Sequence, residues 1–261
     1  MGLLDLFKKK DETPKNNSVL LSMPMFNDED SYNIDEIVLD LREFWGVEVT
    51  NFDGDSETAT FNINGQLVAV AKMPAPIPQE DIESTASYTY LWNNVLEECS
   101  HHTSHAIVSV LSSEFDTVER HIVFTQLNAS ILRTSKAIGI YQGMQTLLLP
   151  KALYLDFADL LFQEVLPVQL WVYIGLVGDE HSNSAYTFGL TEFDKVEIEI
   201  IESEMLRSDL YDFIISIVSY IIGYDVVLKD GETIGFTEEQ KIQITESKAM
   251  FLEGNSLKLL V

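Results

Sequence analysis

"VQLWVYIGLV" (168–177) is the first of three consecutive stretches that read as β-strands because they are rich in β-branched and aromatic residues. "SAYTFGL" (184–190) and "KVEIEIIE" (195–202) follow it, with no helical pattern between them. One long helical stretch comes next, and short strand-like stretches return towards residue 261. Because the strands come in groups with helices between the groups, the sequence predicts an α+β fold of mostly antiparallel sheets covered by helices.

The helical stretch contains "FIISIVSYIIGY" (213–224), which carries no charged residue. A helix that spans a bilayer needs about 20 apolar residues, and this stretch is shorter. Leu206, Leu210, Phe213 and Ile217 recur at helical spacing, and neighbouring isoleucines widen the apolar face. The pattern therefore predicts a buried helix that lies against a sheet.

The two ends of the chain share a strand–helix–strand pattern, which is compatible with two related α/β lobes. We expect a flexible tail (residues 1–17), an N-terminal lobe (18–166) and a C-terminal lobe (167–261). In the N-terminal lobe, the pattern predicts a helix near residues 34–44 with Phe44 in its apolar stripe, and a long helix from Asp116 to about Tyr141. Residues 87–100 also have helical character.

The net charge is the least ordinary property of the composition. Sixteen Lys and Arg oppose 42 Asp and Glu, which gives a net charge of −26 and a pI near 4.3. Such a charge repels nucleic acid and anionic membranes and attracts basic partners, although it also serves solubility. We therefore expect a protein partner, basic in character, and neither nucleic acid nor a cofactor.

The single cysteine, Cys99, excludes an internal disulfide and indicates a reducing compartment, so the expected location is cytoplasmic. The N-terminal "MGLLDLFKKK" has its apolar residues before its lysines, the reverse of the order in a secretory signal. Its apolar side could make a weak contact with a membrane surface.

Three of the five histidines lie in "ECSHHTSHAIVSV" (98–110). His101 and His105 have the i, i+4 spacing that places two imidazoles on one helical face, so one hypothesis is a metal-assisted hydrolase that uses His101, His102 and His105. The stretch also reads as a helix that runs into a strand, where polar residues cap the helix end. We favour the capping interpretation, in which Cys99 packs in the interior.

No other catalytic motif is visible. The sequence has no serine nucleophile elbow, no phosphate-binding glycine loop and no paired cysteine motif. This lowers the expectation of an enzyme without excluding one, because catalytic sites are assembled in space. A structural subunit of a bacterial assembly is a further alternative.

The residues expected to bind a partner are acidic. One group is the loop Asp28, Glu29 and Asp30. The other belongs to a predicted hairpin over residues 185–200, in which Val196, Ile198 and Ile200 face the core while the outer side carries Glu192, Glu197 and Glu199.

This hairpin also resembles a known family. The pattern Thr187-x-Gly189-Leu190-x-x-Phe193, followed by Val196-Glu197-Ile198-Glu199, is similar to the signature of domain-of-unknown-function family 4261. The stretch "GETIGFTEEQKIQITES" (231–247) resembles the closing segment of that family, and the resemblance covers mainly residues 168–261. Asp194 stands where the family pattern has glycine.

The resemblance implies a context and no chemistry. Families of this kind, and N-terminal sequences similar to "MGLLDLFKKK", are typical of bacterial gene neighbourhoods that encode toxin–immunity pairs or secreted effectors. Immunity proteins are commonly small, acidic, cytoplasmic and without enzymatic activity, and they cover the active site of a basic toxin. The resemblance therefore favours an immunity-like protein, whose association electrostatic attraction would accelerate.

Overall fold

The computed structural model describes residues 19–27, 31–179, 181–235 and 241–261. The chain divides into two compact units, Met1–Leu170 (unit 1) and Trp171–Val261 (unit 2). Each unit holds one sheet with helices packed on it, and the sheets are mostly antiparallel, which confirms the predicted α+β class. The predicted tail, residues 1–17, lies outside the described residues.

Unit 1 is built on a seven-stranded sheet in which every neighbouring pair of strands is antiparallel. The strands are β1 (Leu20–Asn27), β2 (Val49–Gly54), β3 (Thr58–Ile63), β4 (Gln66–Met73), β5 (His102–Val110), β6 (Gly139–Gln142) and β7 (Leu147–Pro150). Their spatial order is β2-β3-β4-β5-β1-β6-β7, so β5 and β1 lie in the middle of the sheet.

Five α-helices accompany this sheet: α1 (Ile34–Glu43), α2 (Gln79–Ala86), α3 (Val95–Cys99), α4 (Thr117–Thr134) and α5 (Lys151–Ala158). Asn33 caps α1, because its side-chain oxygen accepts from the N–H of Asp35 at 2.9 Å. Asp116 caps α4 in the same way, through the N–H of Val118 at 2.9 Å. These caps fix where the two helices of the main core begin.

The two faces of this sheet have different covers. Ser22 pairs with Val108 on the neighbouring strand, and its hydroxyl donates to Asn128 of α4 at 2.7 Å, so this face lies under α4. Met25 and His105, paired across β1 and β5, lie on the other face. There Met25 belongs to a buried cluster with residues of α2, α3 and β7. The cluster comprises Met25, Ile77, Ile82, Ala86, Trp92, Val95, Cys99 and Leu148.

Two helix predictions in unit 1 need correction. The long helix ends at Thr134 rather than near Tyr141, because the hydroxyls of Thr134 and Ser135 donate to carbonyls of the last turn and Ser135 is extended. Gly139 then opens β6, where a Cβ would meet the Leu149 carbonyl and the Trp92 ring. The helical stretch 87–100 is reduced to α3.

Unit 2 contains a six-stranded sheet in the order β11-β12-β13-β10-β9-β8. The strands are β8 (Tyr173–Gly178), β9 (Asn183–Phe188), β10 (Ile198–Ser203), β11 (Thr233–Ile234), β12 (Ile242–Lys248) and β13 (Asn255–Leu260). Only β10 and β13 pair in parallel among the described strands of this sheet. In this parallel pair Ile198 and Glu199, at the start of β10, lie beside Leu257 and Lys258 of β13.

The predicted buried helix is confirmed as α6 (Arg207–Gly223), which packs on β8 and β9. Its buried stripe includes Leu210, Ile214, Ile217 and Ile221. Leu206, expected in that stripe, precedes the helix and is exposed. Throughout the described ranges, no helix combines the length and apolar character needed to cross a membrane.

Candidate functional site

The histidine segment lies at the junction of α3 and β5. His101 follows α3 and is exposed, His102 opens β5 and is buried, and His105 lies further along the same strand and is also buried. The sequence is therefore right to place a helix end and a strand start here. The three imidazoles do not share one helical face, because His102 and His105 belong to the strand.

His102 holds two parts of the chain together through its two ring nitrogens. Its Nδ1 donates to the carbonyl of Cys99 at 2.5 Å, which caps the end of α3. Its Nε2 accepts from the N–H of Ile77 at 2.8 Å. Both nitrogens are thus committed to the backbone, and His102 offers no lone pair to a metal ion.

His105 lies three residues further along β5 and contacts the same connector, residues 74–78. Its Nδ1 donates to the Ala75 carbonyl at 2.8 Å. Burial lowers the pKa of His105, the bond to Ala75 offsets part of this, and nearby His102 adds to the lowering. Together the two histidines fasten the proline-rich connector PAPIP onto β5, a role that local sequence spacing does not show.

These contacts favour the capping interpretation over the metal hypothesis. Within the ranges that the structure describes, no three His, Cys, Asp or Glu side chains are grouped so that they could hold a metal ion. His101 is exposed and lies apart from the strand, and of the two buried histidines His102 has both nitrogens bonded to backbone while His105 keeps one free acceptor, Nε2. The hydrolase hypothesis stays a prediction without a geometric argument in its favour.

Cys99 is expected to be unreactive in the folded protein. It is fully buried in the cluster beneath α2 and α3, and burial, helped by the charge of Glu98, raises the pKa of its thiol to about 12.

Because the thiolate is the reactive form, thiol labelling of Cys99 should be at least about a hundredfold slower in the native protein than in urea. Kinetics with a chromogenic disulfide measure this. Rapid native labelling, at the rate of a Cys99→Ala/Ser100→Cys control with an exposed thiol, would contradict it.

The predicted acidic outer side of the 185–200 hairpin is wrong. Glu199 is 0% exposed and Glu197 is 9% exposed, whereas Val196, expected in the core, is exposed. Glu192 is half-buried. The reason is that both carboxylates accept hydrogen bonds in the interior, Glu197 from the turn just before it and Glu199 from residues more than fifty positions away, so burying them costs less than the local alternation suggests. Side chains buried in this way do not present charge to a partner.

Glu197 organises the turn after β9. Its carboxylate accepts from the Thr187 hydroxyl at 2.6 Å and from the N–H of Gly189 at 2.8 Å. Burial raises the pKa of Glu197, and the hydrogen bonds it accepts offset this only in part. The residues that resemble the family signature therefore have a structural role at this turn.

Asp194 closes the same turn with a left-handed backbone, at φ 56° and ψ 33°. Glycine adopts this region without cost and aspartate tolerates it, which accounts for an aspartate at a glycine position of the family pattern. The neighbouring Lys195 forms an ion pair with Asp225, with Nζ and Oδ1 2.7 Å apart. The left-handed turn therefore forms with aspartate at position 194.

The other predicted binding group cannot be placed. Asp28, Glu29 and Asp30 lie outside the described residues, so their role stays a prediction.

A surface that the sequence did not indicate lies at the end of α1. Phe44, Trp45 and Phe162 form an aromatic patch in which Trp45 stacks on Phe162 with ring centroids 4.8 Å apart, and Phe44 meets Phe162 edge to face at 5.1 Å. Phe44 is 41% exposed and Phe162 is 54% exposed. The helical spacing had placed Phe44 in the buried stripe, but α1 ends before it and its side chain leaves the core.

Arg133 of α4 holds this aromatic patch in place. Its guanidinium lies 3.5 Å from the centroid of the Phe44 ring, a cation–π contact. Its Nε is 3.2 Å from Oδ1 of Asp40, and its Nη2 is 3.9 Å from Oδ1 of Asp159. The patch is therefore a fixed arrangement of exposed rings with carboxylates at its edge, a composition typical of interaction surfaces.

These features define an α+β protein in which His102 and His105 hold the PAPIP connector against β5. Glu197 and Glu199 have structural roles, and the aromatic patch is exposed to solvent. Comparison with known families then places its C-terminal part: residues 186–260 match the family model described as Domain of unknown function (DUF4261). This confirms the resemblance predicted from the hairpin signature. Searches of curated proteins and of solved structures found no match.

Proposed function

We propose that this chain is a bacterial cytoplasmic protein that works by binding a basic protein partner, and that it does so through the aromatic patch. The observation that carries the proposal is the exposure of the rings of Phe44 and Phe162, held in a fixed arrangement beside the carboxylates of Asp40 and Asp159. Fixed aromatic rings supply contact area at little cost in conformational entropy.

The charge of the protein complements this surface. Glu43 and Glu164 flank the patch in the sequence and are exposed, and the whole chain carries a net charge of −26. A basic partner would be attracted over a distance and then bound by the rings. The more specific version of the proposal is an immunity-like protein that neutralises a basic bacterial toxin or effector, which the resemblance to the DUF4261 family also favours.

A double substitution of the aromatic patch tests the proposal. Phe44→Ser with Phe162→Ser should weaken binding of the basic partner by about tenfold or more, because aromatic anchors carry most of the energy of such interfaces. The measurement is co-purification from the native host at low salt and again at about 0.5 M salt, where screening removes purely electrostatic association. Affinity for the recovered partner is then measured by calorimetry.

Tyr224→Ser, which removes an exposed aromatic ring in unit 2, is the matched control and should leave binding unchanged. If the double variant retains full affinity, or if every captured protein is released by salt, the patch is not the binding surface. Replacing Asp28, Glu29 and Asp30 together with Asn tests the acidic loop separately, by its effect on the association rate at low salt. Neutralisation requires that co-production of this chain restores growth of cells that the partner alone arrests.

A further inference from the structure

Unit 1 contains a cavity of about 410 Å³ on the face of the sheet that α2 and the PAPIP connector partly cover. This volume lies within the range of small-molecule binding sites. The cavity walls are mostly apolar and are formed by Met23, Ile77, Tyr141 and Met144, among others. Methionine and tyrosine side chains adapt to flat or chain-like apolar bodies, so the walls suit an organic ligand.

His105 supplies a hydrogen-bond acceptor to this cavity. It lines the cavity, it is only 8% exposed, and its Nδ1 is occupied by the Ala75 carbonyl. A carbonyl can only accept, so Nδ1 carries the proton and Nε2 keeps its lone pair. No other residue of the described chain donates to Nε2, which leaves this buried acceptor available to a ligand.

Asp81 adds a negative charge at the opening. It lines the cavity from the first turn of α2, and it is exposed, so it stands where the cavity meets solvent. No Lys or Arg is found among the residues that line the cavity. His105 Nε2 and the Asp81 carboxylate accept hydrogen bonds, the Tyr141 hydroxyl can donate or accept one, and the one charged group that lines the cavity is negative.

We propose that this cavity binds a small organic cation, a protonated amine carried on an aromatic or short alkyl body. The ammonium group donates a hydrogen bond to Nε2 of His105 and lies near the Asp81 carboxylate, while the apolar body packs against Met23, Tyr141 and Met144. The exposed Asp81 carboxylate attracts a cation and repels an anion, and a neutral ligand gains no electrostatic attraction from it. This site goes beyond the protein-binding function proposed above and does not depend on it.

Titration of the full chain with phenethylamine, followed by NMR of the histidine side chains, tests the proposal. We expect a saturable change in the Nε2 signal of His105 and no change at exposed His101. Two probes of the same shape serve as controls: 2-phenylethanol, which is neutral, and 3-phenylpropionate, which is an anion. Both should bind at least about tenfold more weakly than the amine.

Substitution of Asp81 completes the test without disturbing the histidine contacts. Asp81→Asn should weaken phenethylamine binding by about fivefold to tenfold, whereas Glu80→Gln, which removes an exposed charge from the same helix turn, should have little effect. Equal binding of the alcohol and the amine, or no saturation in the millimolar range, would overturn the proposal. Nα-acetyl-lysine amide keeps the charged side-chain amine of a lysine within a protein chain. If it binds more tightly than phenethylamine, the assignment to a free small molecule is overturned and the site points to a lysine of a protein partner.

Discussion

Replacing Glu199 with alanine is expected to lower the free energy of unfolding of unit 2 by about 3–5 kcal/mol, the cost of removing one partner from a buried ion pair. The Glu199 carboxylate accepts from Lys258 Nζ at 2.7 Å, from the Ser256 hydroxyl at 2.8 Å and from the N–H of Phe251 at 2.8 Å. It also accepts from the N–H of Met250. Its loss would remove the acceptor of the Met250 and Phe251 N–H groups and the counter-charge of Lys258, which would keep only the Lys248 carbonyl and the Ser256 hydroxyl as acceptors.

The position of Glu199 explains why the effect should be large. Glu199 pairs with Lys258 across the parallel strands β10 and β13, so its carboxylate fastens the last strand, and the loop before it, to the centre of the sheet. Urea unfolding and peptide-resolved hydrogen exchange over residues 186–260 measure the loss. Glu204→Gln, an exposed glutamate in the same unit, is the matched control and should change stability by less than about 0.5 kcal/mol.

Glu199→Gln separates the charge from the shape. The amide keeps one acceptor oxygen, but its NH₂ group faces donors, so we expect a smaller loss of about 2 kcal/mol. Wild-type stability after either substitution, or exchange rates over residues 250–258 equal to those of the control, would show that the carboxylate is not needed to hold β13.

The pH dependence of unit 2 contains two opposite contributions from the hairpin. Burial alone would raise the pKa of Glu199, but Lys258, the N–H groups of Phe251 and Met250, and Ser256 outweigh it, so the folded-state pKa lies below its ordinary value. Its contribution to stability is complete above the unfolded-state pKa and is lost as the pH falls through the folded-state pKa. Glu197 has a raised pKa, so its contribution increases as the pH falls through that value.

The sequence predicted those parts of the fold that depend on local periodicity. The buried helix α6 and the grouping of strands in unit 2 follow from residue spacing alone, and both are confirmed, although Leu206 lies outside the buried stripe. The β6–β7 hairpin was missed because Ile138 continues the helical spacing of Ile131, while the end of α4 depends on the hydroxyls of Thr134 and Ser135. A short strand that follows a helix without a strong breaker is not visible in periodicity.

The candidate sites depended on contacts between distant parts of the chain, which explains the errors there. Alternation along β10 placed Glu199 outside, and its partners Ser256 and Lys258 lie more than fifty residues away. The aromatic patch likewise needs Phe162 and Arg133 to meet Phe44, and a helical stripe cannot show where α1 ends. The histidine segment was the exception, since the capping of α3 involves neighbours in the sequence.

His121 should make unit 1 sensitive to mild acid. Its side chain is buried in α4, where its Nδ1 donates to the Thr117 carbonyl at 2.8 Å. Burial lowers the pKa of His121 to about 4; the bond to Thr117 opposes this shift and the nearby charge of Arg120 adds to it. In the unfolded chain the imidazole titrates near its ordinary value of about 6.5.

The number of protons bound to His121 in the folded and unfolded states decides whether acid raises or lowers the free energy of unfolding. Between the two pKa values the unfolded state binds a proton that the folded state does not, so stability falls as the pH is lowered through this window. The loss from this one group should reach about 2 kcal/mol at pH 5 and about 3 kcal/mol once the pH is below 4. Above the unfolded-state pKa the contribution no longer changes with pH.

Urea unfolding of the wild type and of His121→Leu near pH 7.5 and pH 5 measures this contribution as the difference between two pH dependences. The variant lacks the imidazole at position 121 and keeps every other titrating group, so it should lose about 2 kcal/mol less than the wild type on acidification, whatever its stability at neutral pH. The comparison cancels the relief of charge repulsion that acid gives to a protein of net charge −26. His121→Gln repeats the test with a polar side chain, and exposed His101→Gln, the matched control, should follow the wild type. If the wild type and both His121 variants lose the same free energy of unfolding on acidification, the pKa of His121 is the same in the folded and unfolded states, which would contradict the prediction.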